Sequence, residues 1–478
     1  MPSGKGNWCS QDRSDPNQEG TSEVNATSTA RVKVEAGGDQ VVGHVGLHAL
    51  GAFADRLGLG EALSARIQAM HQRWPLHDRG KVLVHALLML AGGGECCADI
   101  EQLRPEPELF GEVCSDSTLY RTLRSLDPRT VAAVKEAIAE TRAAVWRRLP
   151  AITRGPVVLD MDASLVEIHS ENKEETGPTY KGGFGFHPLL CFVDATGETL
   201  AGLLRPGNAG ANTVADHLQV LDAAIAQLPR WVAAGHHADD DAAGMRQPVM
   251  VRADSAGCTE GFVRGCRQRN LGFSVVARST AQIHAAISRV EDDEERWLPA
   301  ICQDGEPRTG AAVTEVTDLC DLSSWPSGTR LVVRREPLHQ GAQQTLFPSL
   351  EFRYWGFYTD QEGTPVELDR CMRAHAHVED HICRLKDSGL LRFPFTSFAA
   401  NCAWLAVVCL AADLVRWFQL LCLRGGLAIA EPKALRRRLW DAPARIVRSA
   451  RQTIVRVLRG WPDGDAILTA YQRLAVIA

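Results

Sequence analysis

An α/β architecture, a mixed sheet flanked by helices, is the fold class this sequence predicts, and three observations predict it. Residues 156–165, Pro-Val-Val-Leu-Asp-Met-Asp-Ala-Ser-Leu, open on β-branched residues and have the length of a strand. From there to Arg278 the apolar pattern reads strand, strand, strand, helix, strand, helix, strand. A meander followed by βα units gives a sheet with both parallel and antiparallel neighbours. Segments of helical periodicity lie on both sides, before residue 150 and after residue 396.

The totals bound the rest. A length of 478 residues suggests about three domains. An apolar fraction of 45% is enough for a sizeable core. The net charge of −6 does not mark a nucleic-acid binder by its sum, so the distribution of charge has to be read instead. None of the 14 cysteines forms a Cys-x-x-Cys pair, and Cys402, Cys409 and Cys422 lie in apolar helical stretches. They read as free thiols of a reducing compartment. With a polar N-terminus lacking an apolar h-region, this gives a cytoplasmic expectation. The most apolar stretch, Phe398 to Ala430, is interrupted by Asp413, Arg416 and Arg424, so buried helices are expected there and no membrane span.

In chain order, residues 1–40 are polar without an apolar period and are expected to be a disordered tail. Residues 44–104 look helical. Ser115 then caps a helix whose Leu119, Leu123 and Leu126 share one face, leaving Tyr120, Arg121 and Arg124 to face outward, as a DNA-contacting helix would present them. A plain amphipathic bundle helix is the alternative. Residues 127–149 form another helix. After the first strand comes a polar, Gly-rich loop at 170–186, whose Lys181-Gly-Gly has the wrong spacing for a Walker phosphate loop. His187 to Val193, the turn Asp194-Ala-Thr-Gly and Glu198 to Arg205 make a hairpin. Asn212–Leu228 is a helix, Pro248–Asp254 a strand, Thr259–Asn270 a helix and Gly272–Arg278 a strand. Residues 280–350 read as a mostly β insertion, and the chain returns as a strand from Glu351. Asp369 to Asp387 is a strongly polar helix, and helical structure is expected from Ser397 to the end.

The chemistry rests on acids. Asp160 and Asp162 alternate onto the same face of the first strand. Two unpaired carboxylates there are costly to bury, and a divalent cation relieves that cost. A strand end with its acids in water is the alternative. Asp254 ends a later strand, where it could instead cap a helix, and Glu379 lies on the polar helix, where it could be a solvated face. The spacings 254 − 162 = 92 and 379 − 254 = 125 are too long for a local motif, so only the fold can join these acids. His375, Glu379, Ile382 and Lys386 are spaced 4, 3 and 4 and form one helix stripe, which puts a cation roughly 10 Å beyond the acid.

Six stretches then match a family: Leu159-Asp-Met-Asp-Ala-Ser, Tyr180-Lys-Gly-Gly-Phe-Gly-Phe-His-Pro-Leu, Asp194-Ala-Thr-Gly-Glu, Leu204-Arg-Pro-Gly-Asn-Ala, Arg252-Ala-Asp-Ser and Ala376-His-Val-Glu-Asp-His-Ile with its following Lys-Asp. Pro443-Ala-Arg with Ala450-Arg also fits. Over residues 45–460 the chain resembles the DDE transposases of bacterial insertion sequences, most closely the insertion sequence 1380 family. The resemblance implies an RNase H-like domain in two parts, 151–279 and 351–396, split by a β-rich insertion at 280–350. A helical DNA-binding region at 41–150 and a helical basic region at 397–478 complete the division. It implies that Asp162, Asp254 and Glu379 bind two Mg²⁺ ions, with Mn²⁺ able to substitute, and that Lys386 is the cation following the Glu. Where the related Tyr-Arg-Glu-Lys signature has Tyr and Arg, this chain has Met372 and His375, with Arg373 standing in for the Arg. Arg373 and His375 are accordingly expected at the DNA.

Between residues 431 and 460 nine Lys and Arg stand against Glu431 and Asp441 alone. Arg436, Arg437, Arg438 and Arg445 head the expected backbone contacts, which would be salt-sensitive. Trp297, Trp325 and Trp355 are expected either in core packing or stacked on an unpaired base. The expected function is cut-and-paste transposition: cleavage at paired inverted-repeat ends of double-stranded DNA, then strand transfer into target DNA, by a homodimer or larger assembly. The rivals are a DNA-binding protein with an inactive catalytic domain and a metal-dependent nuclease that cuts without joining.

Overall fold

Nine strands make one mixed sheet, and the order in which the chain lays them down places the acids. In the computed structural model, which describes residues 22–24, 32–34, 40–69, 77–149, 155–170, 172–338, 352–450 and 452–477, the longer helices of the first part are α1 (Val45–Arg56), α2 (Leu59–Ala69), α3 (Arg79–Ala91), α4 (Asp116–Arg124) and α5 (Pro128–Trp146), with short turns of helix at Cys97–Leu103 and Pro107–Phe110 between α3 and α4. The Ser115 side chain caps α4 by accepting from the Thr118 amide, and Leu119 and Leu123 are buried beneath it. Strands β1 (Val157–Ala163), β2 (Leu189–Val193) and β3 (Thr199–Leu203) form an antiparallel meander. Gly197 closes the β2–β3 turn at φ +70°, and a Cβ there would meet the His381 ring at 3.0 Å. Helix α6 (Val214–Gln227) carries the chain back across the sheet. Strand β4 (Val249–Ala253) then pairs parallel with β1 on its far side, and after α7 (Glu260–Arg267) strand β5 (Gly272–Val276) pairs parallel with β4.

After α8 (Ala281–Val290), strands β6 (Leu298–Ile301), β7 (Pro307–Glu315), β8 (Arg330–Pro337) and β9 (Phe352–Thr359) follow. The sheet order is β6-β7-β8-β9-β5-β4-β1-β2-β3. The segment expected as an insertion is largely β, but it builds no separate sheet. β9 pairs with β5 on one side and β8 on the other, so the ladder continues without a break. Trp297, Trp325 and Trp355 belong to this packing. Trp297 is buried and donates to the Val290 carbonyl, Trp325 stacks on Tyr358, and Arg334 lies over Trp355.

The polar stretch expected as one helix from Asp369 to Asp387 is broken. It consists of α9 (Pro365–Arg373), a 3₁₀ turn at Ala374–Ala376 and α10 (His377–Leu385), then a wide turn at Lys386–Leu390 with Gly389 at φ +106°. Helix α11 (Phe398–Cys422) has the length and hydropathy of a membrane span, yet 72% of its most apolar window is buried inside the protein. It packs on α3 and β3, so the N- and C-terminal helices share one apolar core with the sheet.

The expectation of helix to the C-terminus is corrected at 444–457. There β10 (Ala444–Ser449) and β11 (Gln452–Val457) form an antiparallel hairpin, and β10 also pairs with Val41–Val42, before the last helix, α12 (Gly464–Leu474). The residues explain it: Ala444-Arg-Ile-Val-Arg and Thr453-Ile-Val-Arg-Val alternate with a period of two and are rich in β-branched side chains. The expected disordered tail falls mostly outside the described residues, within which Ser22–Val24 and Val32–Val34 pair as short strands.

Candidate active site

The register of two parallel strands explains the first long spacing. Arg252 of β4 stands beside Asp160 of β1, an offset of 252 − 160 = 92 residues. Asp162 and Asp254 share that offset, 254 − 162 = 92. Continuing the ladder one residue past the end of β4 therefore puts their backbones on adjacent strands, about 4.8 Å apart. The side chains project to the same face as Asp160 and Arg252, because strand residues two apart share a face. This rung sits at the carboxyl ends of β1 and β4, where the strand order reverses from β1–β2–β3 to β4–β5. Ligands of open α/β sheets bind at such reversals.

The charge there is not neutralised. Burial, then the charge of Asp254, push the Asp162 carboxyl up to about 6, and Glu379 adds to the effect from the first turn of α10. Only the Ala163 amide donates to Asp162 among the described residues, at 2.7 Å. Three hard-oxygen donors of this kind fit a divalent cation such as Mg²⁺. Among the described residues, however, no three His, Cys, Asp or Glu side chains converge closely enough to hold an ion between them. Glu379 is exposed, and its contribution to Asp162 is electrostatic.

One step down the same face the opposite holds. Asp160 is fully buried and takes both guanidinium bonds of Arg252, at 2.8 and 2.6 Å. His375 Nδ1 lies 2.7 Å from the same carboxylate. Against burial, which alone would raise it, the bonds from His375 and Arg252 hold Asp160 below the ordinary carboxylate range. Arg252 also donates to the Cys371 carbonyl at 2.6 Å and reaches Asp194 at 3.1 Å. Asp194 in turn meets His377 Nδ1 at 2.9 Å. One arginine and two histidines thus fasten the α9–α10 junction to the sheet, and Glu379 follows two residues later.

The proposed helix stripe is corrected by this fastening. The 3₁₀ turn aims His375 inward at Asp160, and Ile382 is buried, while Glu379 is exposed and Lys386 half-buried. Among the described residues no carboxylate pairs with Lys386. Of the residues expected at DNA, Tyr120, Arg121, Arg124, Arg437, Arg438 and Arg445 are exposed. Tyr120 lies with its ring 4.9 Å from Phe395, and Arg121 bonds back to Ser117 and Thr118. Arg373, Arg436 and Arg438 are engaged by other groups of the chain. Arg373 pairs with Asp369 and bonds the Ile301 carbonyl. Arg436 donates to the carbonyls of Ala91 and Asp387, and Arg438 holds Asp463 through two bonds of 2.9 Å.

Sequence reasoning did not single out the roles of Arg252, Asp194 and His377. One signal was available: Arg252 precedes Asp254 by two residues, as Asp160 precedes Asp162, so a register joining one pair joins the other.

A second buried polar cluster lies away from this site. Arg142 of α5 pairs with Asp413 of α11 at 2.6 Å and approaches Glu198 at 3.4 Å, while the indole nitrogens of Trp146 and Trp417 both donate to Glu198. It ties the helices to the β2–β3 edge and presents no free carboxylate.

The chain matches the family model described as the transposase DDE domain, group 1, over residues 24–478. No curated protein matches it. Among solved structures, the piggyBac transposase synaptic complex with hairpin DNA is similar at a TM-score of 0.41 and 9% identity, over 83% of this chain and 79% of that one.

Proposed function

The chain belongs to the transposases with a group 1 DDE domain, and from that premise we propose that it is the transposase of a bacterial insertion sequence, acting by cut-and-paste. The reading takes β1–β5, with their meander and parallel pair, as an RNase H-like core of the insertion sequence 1380 type. The observation that carries it is the Asp162–Asp254 rung with Glu379 acting on it, a concentration of negative charge that His375 offsets only in part and against which, among the described residues, no Lys or Arg is paired at Asp162.

Asp162, Asp254 and Glu379 would hold the divalent ions, two Mg²⁺ or Mn²⁺. Bound there, such ions make water or a 3′-hydroxyl a better nucleophile and offset charge on the leaving oxygen. The rest falls to the chain. Arg252, His375 and His377 fasten the α9–α10 junction to the sheet, which would hold Glu379 near the rung rather than on a free helix. Lys386, seven residues on, would take a phosphate flanking the scissile one. Exposed Tyr120, Arg121 and Arg124 on α4, with Arg437 and Arg445, would bind the duplex backbone. Two element ends have to be held together, so the working form is a homodimer or larger assembly in the cytoplasm, with no membrane partner.

The test uses the DNA that flanks the coding region. Duplexes carrying its inverted repeats, labelled at one end, are incubated with the full chain and a supercoiled target in Mg²⁺ or in chelator. The expected result is Mg²⁺-dependent cutting at the repeat boundary, followed by joined products. Binding without cutting would make this an inactive DNA-binding protein, and cutting without joining a nuclease; either outcome overturns the proposal.

A further inference from the structure

The β10–β11 hairpin is paired from Ala444↔Val457 at its base to Ser449↔Gln452 at its tip. Its two faces differ. On one, Ala444 and Ile446 are buried and Val455 and Val457 pack against the core. On the other, the register sets Arg445 opposite Arg456, Val447 opposite Ile454 and Ser449 opposite Gln452. Toward the tip the support ends: Arg448, Ser449, Gln452 and Thr453 are exposed whichever face they occupy, so the arm projects from the body.

Its charge is one-sided. From Pro443 to Gly460 the chain has no acidic residue. Arg445 and Arg456 are exposed and, among the described residues, have no carboxylate partner. Like charges directly opposite one another destabilise an antiparallel pair. Nothing in the arm requires two arginines there, and their mutual repulsion is relieved when a polyanion lies across both. Arg436, by contrast, spends its guanidinium group on the carbonyls of Ala91 and Asp387, and the exposed Arg438 is paired with Asp463.

We infer that this hairpin is a basic two-stranded ribbon that enters the major groove of duplex DNA; the inference rests on the proposed function above and names the element that reads the partner. The dimensions agree. A two-stranded ribbon fits a groove about 12 Å wide and about 8.5 Å deep. At about 3.3 Å per residue, the arm from Ile446 to Ala450 is roughly 13 Å long. Arg445, Arg448 and Arg456 take the phosphates of the groove walls. Ser449 and Gln452 bring hydroxyl and amide groups to the base edges, and Val447 and Ile454 offer an apolar surface to thymine methyls.

The experiment measures affinity for a labelled duplex of mixed sequence across a salt series, with guanine N7 methylation as the groove probe. The full chain is compared with R445A/R456A, Arg445→Glu and Arg438→Ala. R445A/R456A is expected to lower the slope of log affinity against log salt by about two. Arg445→Glu faces Arg456 as a favourable cross-strand pair, so it is expected to melt no lower than the parent while binding at least tenfold more weakly. Arg438→Ala is expected to keep the parental slope. The parent is expected to protect guanine N7, and Arg445→Glu to lose that protection. Parental slopes in R445A/R456A, or unprotected N7 in the parental complex, overturn the hairpin assignment while leaving transposition intact. A parent that binds no duplex at low salt overturns the proposed function and this inference with it.

Discussion

Asp160 and Asp162 stand two residues apart on one strand and one face, yet the fold treats them in opposite ways. Asp160 is sealed from water and compensated by Arg252 and His375. Asp162 lies at the rim, accepts one backbone amide and feels two further acids. A buried charge is tolerated when its partners replace water, and Asp160 meets that condition. Asp162 does not, and its charged form is held at a cost until a cation arrives. The first acid therefore builds the frame and the second is left available for chemistry. Carboxylates whose environments drive their pKa values apart commonly mark such a division.

The sharpest way to break this comparison is Asp162→Asn. Cleavage of an end-containing duplex in Mg²⁺ should fall to background while gel-shift binding persists. Stability should move the other way. The folded-state pKa of Asp162 is raised, so its contribution to stability is present below the usual carboxylate pKa and is lost as pH rises through about 6. Removing the charge should therefore stabilise the metal-free protein by on the order of 1–2 kcal/mol above pH 6, with the gap to the parent closing as pH falls toward 4. A variant that melts below the parent at pH 7 would show that Asp162 is as well compensated as Asp160.

Asp160→Asn should invert the pattern. It strands the buried Arg252, and breaking a buried pair from one side typically costs about 3–5 kcal/mol. Chemical denaturation should register that loss. Cleavage per folded molecule should fall only about 10–100-fold, the range for residues that orient ligands. If Asp160→Asn is dead and fully stable while Asp162→Asn still cuts, the two roles have been exchanged.

The smallest effect on stability is expected at Lys386, a cation that follows Glu379 and, among the described residues, meets no carboxylate. Lys386→Ala should leave the melting temperature within a degree or two of the parent and reduce cleavage about 10²-fold, as for loss of one aligned donor. Normal cleavage per folded molecule with a lowered melting temperature would make Lys386 part of the frame, alongside Arg252.

Local pattern alone determined much of this protein. The Ser115 cap, the helix beneath Leu119 and Leu123, the β2–β3 hairpin around Gly197 and the strand carrying Asp160 and Asp162 each follow from interactions within a few residues, where periodicity and turn chemistry act. Tertiary structure decided which charges remained available. Asp160 and Asp162 look alike along the chain, and what separates them is Arg252, 92 residues away, and His375, 215 residues away. The three adjacent arginines 436–438 look like one basic patch, yet Arg436 finds carbonyls at Ala91 and Asp387, and Arg438, though exposed, finds Asp463, leaving Arg437 exposed and, among the described residues, without a carboxylate partner. The bend at Ala374–Ala376 also escapes the 3.6-residue pattern, because the bond between His375 and Asp160 that accompanies it joins two distant elements. Hydrophobic periodicity specifies faces, whereas the compensation of a buried charge depends on whichever side chains the packed sheet brings within hydrogen-bonding distance.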